Sequence, residues 1–310
     1  MVTNLSISDD LQVALKEGEP IVALESAVIA TGLPSPHNLN AAYRCEAAIR
    51  VQGARPATIA IVAGIPKIGC THEEIDELGL RDDVVKTNLS NLSAVIAQSR
   101  WGATTVSTTM HLAARAEIKV FSTGGIGGVH RDAELSFDIS SDLVALTHYP
   151  LVVISSGAKA ILDLPRTVEA LETLGVPIIG YRTEDFPAFY SRKSGIKLDV
   201  IAEDPGGVAR IALAHWRLGF RGGLLVVVPV PESHEIDIAE MELLCKAAVE
   251  DARRDQVTGK LLTPYLLGKL EALTNGRTVL TNLALLENNA RTAGAIARAL
   301  AEYEAIELDY

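Results

Sequence analysis

Short apolar runs recur along the chain at residues 21–24, 58–62, 118–121, 151–154, 177–180 and 224–228. Runs of four or five, rich in Val and Ile and bounded by polar or turn residues, read as strands buried on both faces. Between them lie longer segments, 36–51, 92–99, 165–174, 206–216 and 238–252, whose apolar residues return every three or four positions. That is the spacing of one helical face. Alternation of the two patterns predicts an α/β fold, a three-layer αβα sandwich around a largely parallel or mixed central sheet. Residues 263–273 and 283–300 read as two further helices, joined by a turn at Asn275 and Gly276, that close the fold. No repeat, low-complexity tract or linker divides the chain, so residues 1–310 are expected to form a single domain.

Composition narrows the function classes. Hydrophobic residues make up 48% of the 310 and charged residues 22%, the usage of ordinary globular proteins. The formal net charge of −11 sets a field that repels nucleic acid and anionic membranes, so a phosphorylated ligand would need a local cationic pocket. Cys45, Cys70 and Cys245 lie far apart without metal-site or CxxC spacing, which suits a reducing compartment. The acidic pair Asp9-Asp10 stands where a secretory or transit segment would need basic residues. No run approaches the roughly 18 to 20 apolar residues of a membrane span. A soluble, cytoplasmic protein is expected.

Several segments could carry chemistry. Glu25 ends the apolar run 21–24, and the carboxyl ends of strands are where α/β sheets bind ligands. It is a candidate general acid, or else a capping or surface carboxylate. Ser122-Thr-Gly-Gly-Ile-Gly-Gly-Val-His-Arg131 follows another strand run; its glycines allow positive φ and close backbone approach, so its N–H groups could cradle an anion or a carbonyl oxygen, or else the loop is a tight connection without a ligand. It has neither Walker A nor GxGxxG spacing. Phe137-Asp-Ile-Ser-Ser-Asp142 places two carboxylates four apart, which would share one side of a helix and could hold Mg²⁺ or Mn²⁺, though helix capping is the commoner use of such residues. Leu151-Val-Val-Ile-Ser-Ser-Gly-Ala-Lys159 sets a lysine after an apolar run, where surroundings that disfavour the ammonium would free the amine for attack, or else the side chain snorkels to solvent at the strand end. Lys86 sits at a second candidate strand end and could meet a phosphate.

Taken in order, ALES, ATIAIVAG, GATTVSTTM, VFSTGGIGGVHR, FDISSDL, SSGAKAILDLPRTVEALETLGVP, FPAFY, TPYLLGKLEALT and LTNLALLENNA resemble the pseudouridine-5′-phosphate glycosidase family, also called indigoidine synthase A-like, from about residue 20 to about residue 300. The resemblance implies an αβα fold, a homotrimer with one Mn²⁺ per subunit, and reversible cleavage of pseudouridine 5′-phosphate to uracil and ribose 5-phosphate. It puts Glu25 on the proton donor, Lys159 on the nucleophile and Asp138 on the metal ligand. Ser140, Ser141 and Asp142 fall on the adjoining substrate-binding stretch, and Lys86, Val106 and Asn282 on further substrate contacts. Pathway logic adds a separate pseudouridine kinase that supplies such a substrate. Two departures stand out: Thr31 replaces a frequent histidine, and the basic residues that often follow the Lys86 position are missing from 87–92. The competing readings are another lysine-dependent C-glycoside or phosphosugar enzyme of this type, or a non-catalytic sugar-phosphate-binding protein.

The substrate explains why a lysine would be wanted. Ordinary glycosidases protonate an oxygen or nitrogen leaving group between two carboxylates. A carbon-linked base has no such atom, so an electron sink must be built at C1′, and an amine that forms an imine provides one. Asp142 is a candidate for proton handling after the sugar opens.

Overall fold

The computed structural model describes residues 5–257 and 262–308. In chain order the elements are β1 (Ser6–Ile7), α1 (Asp9–Glu17), β2 (Ile21–Leu24), a π-helical turn (Val28–Gly32), α2 (His37–Val51), β3 (Arg55–Val62), β4 (Ile65–Ile68), α3 (His72–Leu80), β5 (Val85–Thr87), α4 (Leu92–Ala97), β6 (Gly102–Thr104), α5 (Val106–Arg115), β7 (Val120–Ser122), α6 (Ala133–Ser136), α7 (Ser141–His148), β8 (Val152–Ser155), α8 (Leu164–Thr173), β9 (Ile178–Tyr181), β10 (Ile201–Ala202), α9 (Pro205–Arg217), β11 (Leu224–Val227), a 3-10 turn (Glu232–His234), α10 (Ile238–Arg254), α11 (Leu262–Leu273) and α12 (Arg277–Leu308).

The strands form one mixed sheet in the order β1-β4-β3-β2-β7-β8-β11-β9-β10, with β6 pairing both β3 and β5. Only the β3–β4 and β3–β6 pairings are antiparallel. The six runs predicted as strands are β2, β3, β7, β8, β9 and β11, and β2, β8 and β11 are buried at every position. The five strands not predicted are two to four residues long. Such short segments carry too few residues for a continuous apolar signal. The β3–β4 hairpin turns on Ala63 and Gly64, at φ 48 and 82. Two left-handed residues give the turn that matches strand twist.

Helix starts follow local chemistry. The Asp163 and Asp204 side chains accept from the third residue beyond them, each with a proline in the first turn, and Asp237 accepts from Ala239 and Glu240. The Asn275-Gly276 turn is where the sequence places it, with φ 52 and 80. Past it, α12 starts at Arg277 rather than 283 and runs 32 residues. It packs on α2 and α9 and lies across β2, β7 and β8. A second layer is built around α5, which packs on α7 and on β2, β3 and β4.

One large core cluster joins the sheet to both layers, and a smaller one (Ile29, Ala42, Ala60, Cys70, Ile75, Leu78) lies under the π-turn. The three cysteines are buried free thiols. Burial pushes Cys45 up to about 12 and Cys245 up to about 11, so both stay protonated at neutral pH. Among the described residues no helix is long and apolar enough to cross a membrane.

Phe121, on β7, is fully buried at the centre of the sheet. Phe121→Ala is expected to lower stability by about 3–5 kcal/mol in urea denaturation; a loss under about 1 kcal/mol would contradict the packing described.

Candidate active site

The central strands run parallel with Leu24 opposite Ser122 and Ser122 opposite Ile154. The residues that follow these strand ends therefore emerge together. Glu25 leaves β2, Thr123 leaves β7, and the chain past β8 reaches Lys159. Ser26 fixes the first exit: its Oγ accepts from Thr104 N at 2.9 Å, tying β2 to the end of β6. Thr104 Oγ1 in turn donates to Ile59 O at 2.7 Å, and Thr108 Oγ1 to Thr87 O at 3.0 Å. Thr104, Ser107, Thr108 and Thr109 are thus buried but hydrogen-bonded, which sets β5 and its Lys86 beside the cleft.

The cleft encloses about 620 Å³ of atom-free space, its open mouth included. Glu25, Lys86, Lys159 and Asn282, from four separate parts of the sequence, all line it. Thr123 Oγ1 donates a hydrogen bond to Glu25 Oε1. Desolvation raises the Glu25 pKa above the ordinary carboxyl value; Lys159, the Thr123 hydrogen bond and Lys86 act the other way, while nearby Asp142 adds to the rise. A carboxyl group disposed to keep its proton therefore faces an amine across one cleft.

Gly124 and Gly125 also wall the cleft, but not as predicted. None of the four loop glycines has a left-handed φ. They are needed for close approach: a Cβ on Gly125 would lie 2.6 Å from the Phe189 ring, and one on Gly127 would lie 2.3 Å from Ser140 Oγ. Several loop N–H groups turn inward, Ile126 to Gly157 O, Gly127 to Asp142 Oδ2 and Val129 to Thr167 Oγ1, and so hold the loop rather than cradle a ligand.

The remaining sequence-derived residues lie next to the cleft without lining it. Ser140 caps α7 by accepting from Asp142 N at 3.2 Å, the capping use anticipated for this stretch. Asp138 precedes α7, so Asp138 and Asp142 do not share a helical face as their spacing suggested. Asp142 is buried and accepts from Ser107 N at 2.9 Å and Gly127 N at 2.8 Å. With both oxygens holding backbone donors, it staples α5, α7 and the glycine loop together, which fits positioning rather than proton transfer. Ser141 Oγ lies 3.0 Å from Ser107 Oγ. Val106 is fully buried as the first residue of α5, and its neighbour Thr105 is the one that reaches the cleft.

Asp138 is the candidate metal ligand. Its side chain keeps 37% exposure, with His130 Nδ1 3.9 Å from its Oδ2. Among the described residues no three His, Cys, Asp or Glu side chains cluster as a metal cage. One accessible carboxylate fits a hydrated hard cation such as Mn²⁺ or Mg²⁺, with water filling the other positions, and does not fit zinc.

Two residues that the sequence reading did not single out organise the site. Asn289, fully buried on α12, donates to Thr123 O at 2.9 Å and to Ser156 Oγ at 3.1 Å, bridging the ends of β7 and β8. A signal existed, since Asn282 and Asn289 stand seven apart and share one face of an apolar helix. Phe189, at φ 64, lays its ring along the cleft wall and donates its N–H to Ser156 O at 3.1 Å. Only the fold brings it there.

Comparison with known proteins covers nearly the whole chain. The family model described as Indigoidine synthase A like protein matches residues 10–299. A protein named pseudouridine-5′-phosphate glycosidase from Caldanaerobacter subterraneus subsp. tengcongensis is 47% identical over 293 residues, covering 94% of this chain and 95% of that one. One of the same name from a Jannaschia species is 48% identical over 300 residues, covering 97% and 99%. Among solved structures, the prealnumycin C-glycosynthase AlnA in complex with ribulose 5-phosphate aligns with a TM-score of 0.90 at 36% identity, over 97% of this chain and 98% of that one. An indigoidine synthase A-like protein from Thermotoga maritima aligns at 0.87 and 37% identity, over 96% and 97%. With matches of this identity and extent, the chain belongs to the indigoidine synthase A-like family.

Proposed function

We propose that the protein is a glycosidase of nucleotide metabolism that cleaves the C-glycosidic bond of pseudouridine 5′-phosphate, giving uracil and ribose 5-phosphate. The observation that carries this reading is the pairing of Glu25, its pKa raised by burial, with Lys159 in one cleft. The names of full-length relatives at 47–48% identity support the substrate.

In this mechanism the Lys159 amine attacks C1′ while Glu25 protonates the ribose ring oxygen, opening the sugar. Protonation of uracil at C5 then lets the carbon bond break as the Lys159 nitrogen forms an imine, and water releases ribose 5-phosphate. Lys86 supplies positive charge for the phosphate against the acidic global field. Phe189 offers a ring face to the base, and Asn282 offers an amide that can hydrogen-bond its edge. Thr123 and Asn289 orient Glu25 and the strand ends. Asp138 would hold Mn²⁺ through one carboxylate, and the metal would polarise substrate oxygens through its bound waters.

The wider assignments rest on the same reading. Leu135 and Phe137, both 83% exposed, with Ile139 and Val144, make an exposed apolar strip of sequence around Asp138. That strip supports self-association, with the homotrimer as the expected state. Buried free thiols suit a cytoplasmic setting, where a pseudouridine kinase would supply the substrate.

Borohydride added with ribose 5-phosphate is expected to fix a sugar phosphate on Lys159, seen as a mass increase on its peptide. Lys159→Ala is expected to show neither the adduct nor uracil release from pseudouridine 5′-phosphate; normal turnover in that variant removes the covalent mechanism.

Glu25 must hold its proton to act, so kcat/KM is expected to fall as pH rises through its raised pKa. The Thr123 hydrogen bond favours the carboxylate. Thr123→Val should therefore move that limb to higher pH, with Thr123→Ser restoring it; a shift to lower pH contradicts the assignment.

Asp138→Asn is expected to weaken Mn²⁺ binding about tenfold or more, read by electron paramagnetic resonance of free Mn²⁺. Unchanged binding places the metal elsewhere.

A further inference from the structure

Behind the loop that carries Lys159 lies a chamber of about 780 Å³, its open mouth included. Ala160 and Ala188 form part of its wall, whereas their neighbours Lys159 and Phe189 line the cleft. The two spaces have no lining residue in common, so they stand back to back across these turns. The far walls come from the entry to α8, from the first turns of α10 and from Ser194 and Ile196.

Arg131 sets the chemistry of the chamber. Among the described residues it is the only cation in the wall, and its Nε is buried without a hydrogen-bond partner. Buried polar groups are ordinarily paired, so an orphaned guanidinium nitrogen beside open space marks a place for an acceptor. Burial raises the pKa of the Cys245 thiol and the Arg131 charge acts against that rise, which puts the guanidinium within electrostatic reach of the inner wall.

The other polar groups already have partners. Ser194 Oγ donates to Phe186 O at 2.6 Å and accepts from Ile196 N at 3.2 Å. Asp163 accepts from Arg166 N at 3.0 Å, with Arg166 Nε 3.5 Å from its second oxygen. The Cys245 thiol donates to Ala160 O at 3.5 Å. Glu242 is exposed to solvent on α10, and Leu162, Leu164 and Met241 supply apolar surface around the arginine.

We infer that the chamber is a second binding site, separate from the cleft, for a small organic carboxylate with an apolar body. A carboxylate matches the fork of a guanidinium with two parallel hydrogen bonds, one of them from Nε. The leucine and methionine walls receive the body. Inorganic phosphate fits worse, because its further oxygens would face apolar side chains and its second charge would meet Asp163 and Glu242. The global charge of −11 opposes any anion, so recognition falls on the Arg131 edge.

Benzoate is the probe, titrated into the full-length protein and followed by saturation-transfer nuclear magnetic resonance. Its neutral isostere benzamide and inorganic phosphate serve as comparisons. Benzoate is expected to bind with a Kd of about 1 mM or tighter, as suits so small a ligand. Benzamide should bind about tenfold more weakly, and equimolar phosphate should not displace benzoate. Arg131→Gln should weaken benzoate binding about tenfold or more. Glu242→Gln, an exposed change on a helix, should tighten it about twofold. Lys86→Ala, in the cleft, should leave it unchanged.

No benzoate binding by about 10 mM overturns the site. So does equal binding of benzamide, or displacement by equimolar phosphate. Loss of binding in Lys86→Ala but not in Arg131→Gln puts benzoate in the cleft and also overturns it. Should Arg131→Gln fail to fold, Glu242→Gln decides: tighter binding supports the site, and unchanged or weaker binding overturns it.

Discussion

Everything at the active site depends on the parallel register of three central strands. Leu24, Ser122 and Ile154 stand side by side across β2, β7 and β8, so the next residues of three distant segments leave the sheet at one place. Parallel strands are joined by crossovers, and all their carboxyl ends face one edge, where the loops are free to vary. The rest of the molecule fixes what emerges there. Ser26 ties the β2 exit to β6, and Asn289 reaches from α12 to bridge the exits of β7 and β8.

That edge reconciles two conflicting demands. Glu25 needs a desolvated place to keep its proton, while a sugar phosphate needs positive charge in a protein of net charge −11. Lys86 in the cleft wall offers charge for the second; it and Lys159 pull the Glu25 pKa down, and burial outweighs them. The buried hydroxyls of Thr104 and Thr108 and the carboxylate of Asp142 satisfy backbone groups around the cleft. Positioning groups are thus hydrogen-bonded and enclosed, while Glu25, Lys86, Lys159 and Asn282 line open space.

The glycine loop illustrates how one motif can arise from two different constraints. Its four glycines suggest backbone freedom and a nest of N–H donors. In the fold they are crowded positions, pressed against Phe189, Ser140, Thr167 and Leu286, with several N–H groups bonded inward. A requirement for no side chain and a requirement for positive φ leave the same letter in a sequence. Only the neighbours distinguish them.

The sequence by itself determined the class of fold, its six central strands and most of its long helices, because apolar periodicity and capping residues act over a few positions. It also marked Glu25 and Lys159, since a charged residue next to a buried run is visible locally, and the order of its motifs resembled one family. Short edge strands escaped, lacking a run long enough to read. Tertiary structure alone decided that Glu25, Lys86, Lys159 and Asn282 share a cleft, that Asp142 is a staple, that Phe189 is a wall and Asn289 a clamp, and that a second chamber lies behind them. Those facts depend on strand register and on contacts between residues from 15 to 133 positions apart, which no local pattern encodes.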